Sequence, residues 1–187
     1  ARSRDRLMAV WIVDLTESDA VARFLHPCFA RFSPTWLPDH AARLGEVRES
    51  FEPERLSRVL VEDGQAVAWI GAFEDEHAWE IHPIAVAPGA QRNGYGLRLV
   101  DDVIELARAA GAVSVWAGTS DETGSTSFSA LDLYANPAAA FGPWTAHPEH
   151  PVNFWFKTGF SLVGVLPDDE GLGKPGLHFA RRIVEAR

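Results

Sequence analysis

Residues Gln91–Gly96, with the sequence QRNGYG, lie between an apolar run typical of a β-strand and a run with helical periodicity. Gly94 and Gly96 carry no side chains at the start of that helix, where the first backbone N–H groups have no intrahelical partner. Such N–H groups and the positive end of the helix dipole together bind anions, and Arg92 adds a full positive charge. The stretch therefore predicts a loop that binds a pyrophosphate, followed by a helix.

Two other glycine-rich phosphate loops do not fit this stretch. The dinucleotide fingerprint needs a third glycine three residues after the second, and that position is Leu99. An NTPase phosphate loop needs Gly-Lys followed by Ser or Thr, whereas Gly173 and Lys174 are followed by Pro175. The informative signal is therefore the setting of the loop, between a strand and an amphipathic helix, rather than its glycines alone.

The strand that precedes the loop changes its side-chain parity part-way along. Trp79 and Ile81 are apolar at odd positions, whereas Ile84 and Val86 are apolar at even positions. Because side chains alternate strictly along a strand, such a change requires one extra residue, which is a β-bulge. Pro83 has no N–H to donate and is tolerated at such an interruption. We expect a bulge near Pro83, with backbone groups free for a ligand and a splayed neighbouring strand.

The remaining periodic segments predict a mixed α/β domain. Antiparallel strands come first, a crossover helix follows the glycine loop, and a later strand returns in parallel. The predicted elements are a strand at 8–15, a helix from Thr16 to Phe32, a helix at 39–51, a hairpin of 55–62 with 66–73 around Gly64, a strand at 78–88, a helix after Gly96 and a strand at 113–119.

Size and composition favour one globular domain. The chain has 187 residues, of which 47% are hydrophobic and 23% charged, and this is enough for a real core. We assign residues 8–187 to a single domain and residues 1–7 to an extension that precedes the fold. No stretch approaches the roughly 20 consecutive apolar residues of a membrane span, so we expect no membrane association.

Charge and cysteine content restrict the partners and the compartment. A net charge of −9 argues against nucleic acid, whose phosphates require a basic surface, and is compatible with a cationic ligand. The single cysteine, Cys28, cannot form an intrachain disulfide and suggests a reducing compartment. We therefore expect a cytoplasmic protein that does not bind nucleic acid.

The order of these motifs resembles the GNAT superfamily of acetyl-CoA-dependent N-acyltransferases. A bulged strand, the pattern Q-R-x-G-x-G, a crossover helix and a later parallel strand occur together in that superfamily. The match is closer to the aminoglycoside 6'-N-acetyltransferases and extends from about Trp79 to Ile183. The similar segments, in the same order, are AWEIHPIAV, GTSDETGSTSFSALDLY, HPVNFWFKTGFSLVGVLPD and GKPGLHFARRI.

The resemblance implies a fold, a donor, an acceptor and an assembly. The fold is the α/β GNAT acyl-CoA N-acyltransferase fold, with a mixed central sheet, a bulged and splayed central strand and flanking helices. The donor is acetyl-CoA, a cosubstrate, and no metal is needed. The acceptor is a cationic small-molecule amine, foremost the 6'-amino group of an aminoglycoside antibiotic, acetylated by direct transfer in a ternary complex. Such enzymes confer antibiotic resistance and are usually homodimers.

Glu80 and His82 are the candidate catalytic residues. They share one face of the strand before the bulge and coincide with the family pattern W-E-L-H-P. An amine attacks only as the free base, so a carboxylate must attract the cation and help remove its proton. By the resemblance, Glu80 binds the acceptor and acts as base, His82 assists, and Trp79 contacts the acceptor. A surface pair for Glu80 and a structural role for His82 are the alternatives.

The resemblance assigns the coenzyme A site to the loop, the bulged strand and a later helix. The N–H donors that polarise the thioester carbonyl are assigned to the backbone of Ile84, Ala85 and Val86, and the pantetheine arm to Asn153. Trp155 replaces the family tyrosine near the thioester sulfur, and its indole donates a hydrogen bond but not a proton. The thiolate then leaves unprotonated, or another group serves. The pyrophosphate is assigned to Gln91, Arg92, Asn93, Gly94, Tyr95 and Gly96.

The acceptor side is predicted in the irregular region at 120–151. Asp121 coincides with an acidic residue of the family segment G-T-D-D, and Glu122 and Asp132 are further candidate carboxylates for a polycationic sugar. Two histidines in the same region lack a third ligand, so we predict no metal site.

Two other functions stay open at this point. A GNAT enzyme of this kind could instead acetylate another amine, such as a polyamine, a small metabolite or a protein. Alternatively, the domain could bind acyl-CoA without catalysis. The replacement of the tyrosine by Trp155 favours this last alternative, whereas the intact glycine loop and Glu80 oppose it.

Overall fold

The computed structural model describes residues 9–185, except for the side chain of His26, and forms one seven-stranded sheet with helices on both faces. The predicted extension at 1–7 lies outside these residues. The strands are β1 (Val10–Asp14), β2 (Arg55–Glu62), β3 (Gln65–Phe73), β4 (Ala78–Val86), β5 (Ser114–Ser120), β6 (Ser161–Leu166) and β7 (Gly176–Arg182). The helices are α1 (Ser18–Phe29), α2 (His40–Glu49), α3 (Tyr95–Ala109) and α4 (Val152–Lys157), with 3₁₀ turns at Pro88–Ala90, Ser127–Ala130 and Pro137–Phe141.

The sheet is mixed, as predicted, and has the order β1-β2-β3-β4-β5-β7-β6. All neighbouring strands are antiparallel except β4 and β5, which are parallel and joined by α3. A parallel pair needs such a crossover. α1 ends before the predicted Phe32, because the N–H groups of Phe32 and Ser33 both donate to the Phe29 carbonyl and turn the chain. The strands β6 and β7 were not among the predicted elements.

The predicted bulge is present in β4. Ile70 of β3 pairs with Ile84, and Ala72 pairs with Ile81, so that two steps along β3 correspond to three along β4. The extra residue falls at His82-Pro83, so that odd-numbered side chains before it and even-numbered side chains after it lie on the same face of the sheet. Trp79 and Ile81 belong to the core under α3, and Ile84 and Val86 pack against it, whereas Ala85 joins the core under α1 and α2.

Gly71 lets the bulge approach β3. A Cβ atom at this position would collide with the carbonyl oxygen of His82. The backbone of β3 therefore accommodates the bulge only because this residue has no side chain.

β4 and β5 separate after a short shared ladder. They pair only from Ala78 with Ser114 to Ile81 with Ala117. β5 continues to Ser120 in partnership with β7, whereas β4 beyond Ile81 has a partner on the β3 side alone. The confirmed bulge and this splay together open a gap in the middle of the sheet.

Among residues 9–185, no helix has the length and hydrophobicity required to cross a bilayer. In the same part of the chain, no group of three or more His, Cys, Asp or Glu side chains is arranged to hold a metal ion.

Candidate active site

A cleft of about 840 Å³ occupies the gap between β4 and β5. One wall is β4, which contributes Glu80, His82, Ile84 and Val86. The other walls are the end of β5, α4 with the loop before it, the segment that follows α1, and the chain between β6 and β7. The glycine loop borders one part of the cleft, and several carboxylates border another.

The glycine loop has the backbone geometry of an anion site. Gly94 is the N-cap of α3, with φ of +79° and no capping side chain, so the first N–H groups of the helix stay available. A Cβ at Gly96 would lie 3.0 Å from the ring of Phe154, and glycine there allows α4 to approach the helix start. Gln91 and Arg92 also border the cleft.

Two loop residues have other roles in the structure. Asn93 is exposed and does not border the cleft. Tyr95 borders it, but its side chain is buried and its hydroxyl donates a hydrogen bond to the carboxylate of Glu62 on β2. That bond, with burial, raises the pKa of Tyr95. Its side chain therefore anchors α3 to the sheet, and only its position at the helix start relates it to the loop.

The bulged edge of β4 faces the cleft. Ile84 and Val86 line it, whereas Ala85 is turned into the opposite core. Gln91 Nε2 donates to the carbonyl of Val86 at 3.1 Å and ties the loop to the strand. Because β5 does not pair with this part of β4, the backbone edge after the bulge has no strand partner on that side. This is the place where the sequence predicts donors for the thioester carbonyl.

Glu80 and His82 both line the cleft. Burial raises the pKa of Glu80, and the charge of Arg55 opposes that change. Burial lowers the pKa of His82, Arg55 lowers it further and Glu49 acts against them. His82 is therefore neutral near pH 7, and its imidazole is able to accept a proton.

The two α4 residues predicted for the cofactor border the cleft but already have protein partners. Asn153 Nδ2 donates to the carbonyls of His147 and Pro148 at 3.1 and 3.0 Å and so holds the loop before α4. Trp155 is 4% exposed and packs against Phe160, with ring centroids 5.1 Å apart. Where the family pattern has a tyrosine hydroxyl, Trp155 presents a largely buried, apolar indole.

The structure does not bring four predicted acceptor residues to the cleft. Trp79 is buried in the core under α3. Asp121 is fully buried and accepts hydrogen bonds from the backbone N–H groups of Ser125 and Thr126, each at 2.7 Å. Its carboxylate therefore organises the following loop. The sequence alone does not show that the Asp121 carboxylate already binds these backbone N–H donors.

The other two carboxylates also bind backbone groups. Glu122 accepts a hydrogen bond from the N–H of Thr35 at 3.1 Å and so fastens the segment after α1. Asp132 is exposed and accepts from the N–H groups of Tyr134 and Ala135 at 3.1 and 3.0 Å. Each is engaged in a local or interloop contact instead of facing the cavity.

Three other carboxylates do border the cleft. They are Glu149, which forms an ion pair with Arg31 at 2.5 Å, and Asp169 and Glu170, between β6 and β7. Glu170 accepts a hydrogen bond from the hydroxyl of Ser120 at 3.0 Å. The acidic run Asp168–Glu170 was a visible signal, but only the return of β7 alongside β5 brings it to the cavity.

The comparison with protein families agrees with this geometry. A model of the Acetyltransferase (GNAT) family matches residues 19–136, more than half of the chain. The chain belongs to the GNAT family. The predicted GNAT fold, with its bulged strand and splayed sheet, is therefore confirmed, and the GNAT chain takes its acetyl group from acetyl-CoA.

Solved structures similar to this GNAT chain include aminoglycoside 6'-N-acetyltransferases. One, complexed with coenzyme A, is 28% identical over 95% of this chain and 99% of its own, with a TM-score of 0.83. The enzyme from Enterococcus faecium is also 28% identical with the same coverage and a TM-score of 0.80. A type Ii aminoglycoside 6'-acetyltransferase is 25% identical, with a TM-score of 0.66. Curated protein sequences include no significant match.

Proposed function

We propose that this GNAT acetyltransferase acetylates the 6'-amino group of aminoglycosides by direct transfer from acetyl-CoA in a ternary complex. The observation that carries the proposal is a carboxylate-lined cavity in a chain that is similar, over 95% of its length, to two aminoglycoside 6'-N-acetyltransferases. A polycationic sugar requires several carboxylates around it. Glu80, Glu149, Asp169 and Glu170 provide them.

Coenzyme A would occupy the other part of the cavity. Its pyrophosphate would bind the free N–H groups at the start of α3 with the charge of Arg92. The absence of a side chain at Gly94 leaves that approach open, since nothing lies within 4 Å of a Cβ built there. The pantetheine arm would extend between β4 and α4 towards the bulge, past Ile84 and Asn153.

The chemistry then proceeds between the bulge and the carboxylates. The amine enters as an ammonium ion, is attracted by the acidic residues and loses a proton to Glu80 or His82. Its nitrogen lone pair attacks the thioester carbon, and backbone N–H groups of the bulged edge of β4 stabilise the charge on the oxygen. The carbon–sulfur bond breaks, and the electron pair leaves on sulfur. The nitrogen gives up its second proton to the same base, which has passed the first to solvent, and the neutral amide results. Since Trp155 has no acidic proton, coenzyme A departs as the thiolate.

Thiol release from acetyl-CoA with kanamycin, spermidine and a basic peptide tests the acceptor. We expect turnover with kanamycin and a product acetylated at the 6' nitrogen. Turnover with spermidine or the peptide but not with kanamycin would favour a GNAT enzyme for another amine. Coenzyme A binding without turnover on any amine would mean a non-catalytic acyl-CoA-binding module.

Two substitutions test the role of Glu80. Glu80→Ala should lower turnover strongly while acetyl-CoA affinity survives. Glu105→Ala, on the exposed face of α3 where Glu105 pairs with Arg108, is the matched control and should leave both unchanged. An unaffected rate in Glu80→Ala would remove Glu80 from the mechanism.

A homodimer and a cytoplasmic location remain part of the proposal. Light scattering on the purified protein should give twice the mass of one chain, and a monomer at micromolar concentration would contradict the dimer.

A further inference from the structure

A carboxylate on helix α2 lies next to His82. Oε1 of Glu46, on α2, is 3.5 Å from Nε2 of His82. The Glu46 side chain is only 12% exposed, whereas that of His82 is 41% exposed and borders the cleft. We propose that Glu46 is a positioning residue that orients the imidazole of His82 and makes it the base for the amine. This inference rests on the proposed acetyl transfer, but its first test needs no turnover.

The pair has the arrangement of a carboxylate that supports an imidazole base. With Nε2 turned to Glu46, Nδ1 is the ring nitrogen that remains to accept a proton. A nearby carboxylate holds the tautomer and stabilises the imidazolium only when it forms. Burial lowers the pKa of His82 and Glu49 acts against that change; we expect Glu46, whose Oε1 lies 3.5 Å from Nε2, to act in the same direction as Glu49.

Arg55 is the opposing charge. Its Nη2 donates to the carbonyl of His82 at 3.4 Å, and its guanidinium lies 3.6 Å from the ring centroid of Phe73. Among residues 9–185, its buried Nε has no hydrogen-bond partner. Arg55 therefore fixes the bulge carbonyl and disfavours a positive charge on His82.

The remaining groups around His82 are Glu49, Glu80 and the rings of Trp36 and Phe73. Glu49, on the same helix as Glu46, raises the pKa of His82 and that of Glu46, for which burial is the larger cause. Trp36 packs edge-on against the imidazole, with centroids 5.8 Å apart. Glu46 is the only carboxylate of residues 9–185 that forms an ion-pair contact with His82.

The proton balance of the step is simple. The amine nitrogen forms a bond to the acetyl carbon, the carbon–sulfur bond breaks, and the sulfur keeps the electron pair. The proton lost by nitrogen moves to Nδ1 of His82. The imidazolium forms beside the Glu46 carboxylate, so that the pair passes from a net negative charge to zero and the new positive charge has a partner.

NMR titration of the imidazole in the substrate-free protein tests the pair directly. Glu46→Gln keeps the shape of the side chain and removes its charge. It should lower the pKa of His82 by about 0.5 to 1 pH unit, which is less than for a fully buried pair because the imidazole is partly exposed to solvent. Arg55→Gln should raise it. Glu105→Gln is the matched control and should leave it unchanged, and the signal is assigned with His82→Ala. A His82 pKa that does not fall in Glu46→Gln overturns the inference, whether or not any amine is acetylated.

Kinetics then separate positioning from folding. In Glu46→Gln we expect kcat to fall about 10-fold, the acid limb of kcat/KM to move to lower pH, and the KM for acetyl-CoA to stay the same. In the His82→Ala background the same substitution should have no further effect, because the two residues act as a unit. Additive losses in the double variant would refute the pair as a base.

Discussion

The replacement of Asp121 by Asn tests whether this carboxylate organises a loop or binds the acceptor. Oδ2 of Asp121 accepts hydrogen bonds from both the N–H and the hydroxyl of Thr126, and Oδ1 accepts one from the N–H of Ser125, all at 2.7 Å. Asn has one oxygen, which satisfies the Thr126 pair at best. Its NH₂ group then faces the N–H of Ser125, donor against donor.

The magnitude follows from these contacts. Asp121→Asn removes one charge-assisted hydrogen bond and leaves a partly buried donor unpaired. The free energy of unfolding should therefore fall by about 2 to 3 kcal/mol. Urea unfolding followed by tryptophan fluorescence measures it, and the midpoint should fall by roughly 1 M at an unchanged slope. Asp132→Asn is the matched control, an exposed turn carboxylate whose loss should change stability by about 0.5 kcal/mol or less. A variant as stable as the unsubstituted protein, but with a raised KM for the amine, would refute the loop-organising role.

Three further predictions concern the bulge, the base and the loop. Gly71→Ala should destabilise the fold by about 1 to 3 kcal/mol, because the added Cβ meets the carbonyl of the bulge. Gly45→Ala is the control: this position in helix α2 has open space around it, and the substitution should stabilise the fold by about 0.5 to 1 kcal/mol in the same urea assay. Because burial raises the pKa of Glu80, its ionised form is disfavoured in the folded state, and the stability of the protein declines as the pH rises from the unfolded pKa through the folded pKa of this residue. Glu80→Gln should therefore gain stability relative to the unsubstituted protein across that pH range. Equal pH profiles of stability for the two proteins would contradict this. Gly96→Val should weaken coenzyme A binding at least about 10-fold by calorimetry, since a side chain there displaces α4, while Gly89→Ala, which meets nothing, should bind normally; wild-type affinity in Gly96→Val would remove the loop from the cofactor site.

Local periodicity predicts most of the fold before the end of β5. The parity change between Ile81 and Ile84 identifies the bulge, because one extra residue must reverse every side chain that follows it. The glycine loop and the apolar stripe of α3 likewise appear in consecutive residues. Such features depend on neighbours along the chain, and their prediction needs no knowledge of the sheet order.

The carboxylate-lined part of the cleft was not predictable in the same way. Asp121 and Glu170 are both acidic residues near the ends of strands, and composition does not distinguish them. Asp121 is saturated by N–H donors of its own loop, whereas Glu170 reaches the cavity because β7 pairs with β5. The difference lies in which partners each carboxylate meets.

Short stretches of consecutive residues were enough to predict the GNAT fold, the glycine loop at the start of α3, the bulge and the placement of Glu80 and His82 on one strand face. Contacts between distant parts of the chain show which carboxylates border the cleft, and they bring Glu46 and Arg55, with opposite charges, next to His82. The physical reason is that pattern and backbone geometry are encoded over a few neighbouring residues. Burial, charge pairing and hydrogen-bond saturation depend instead on residues far apart in the chain that meet only after folding.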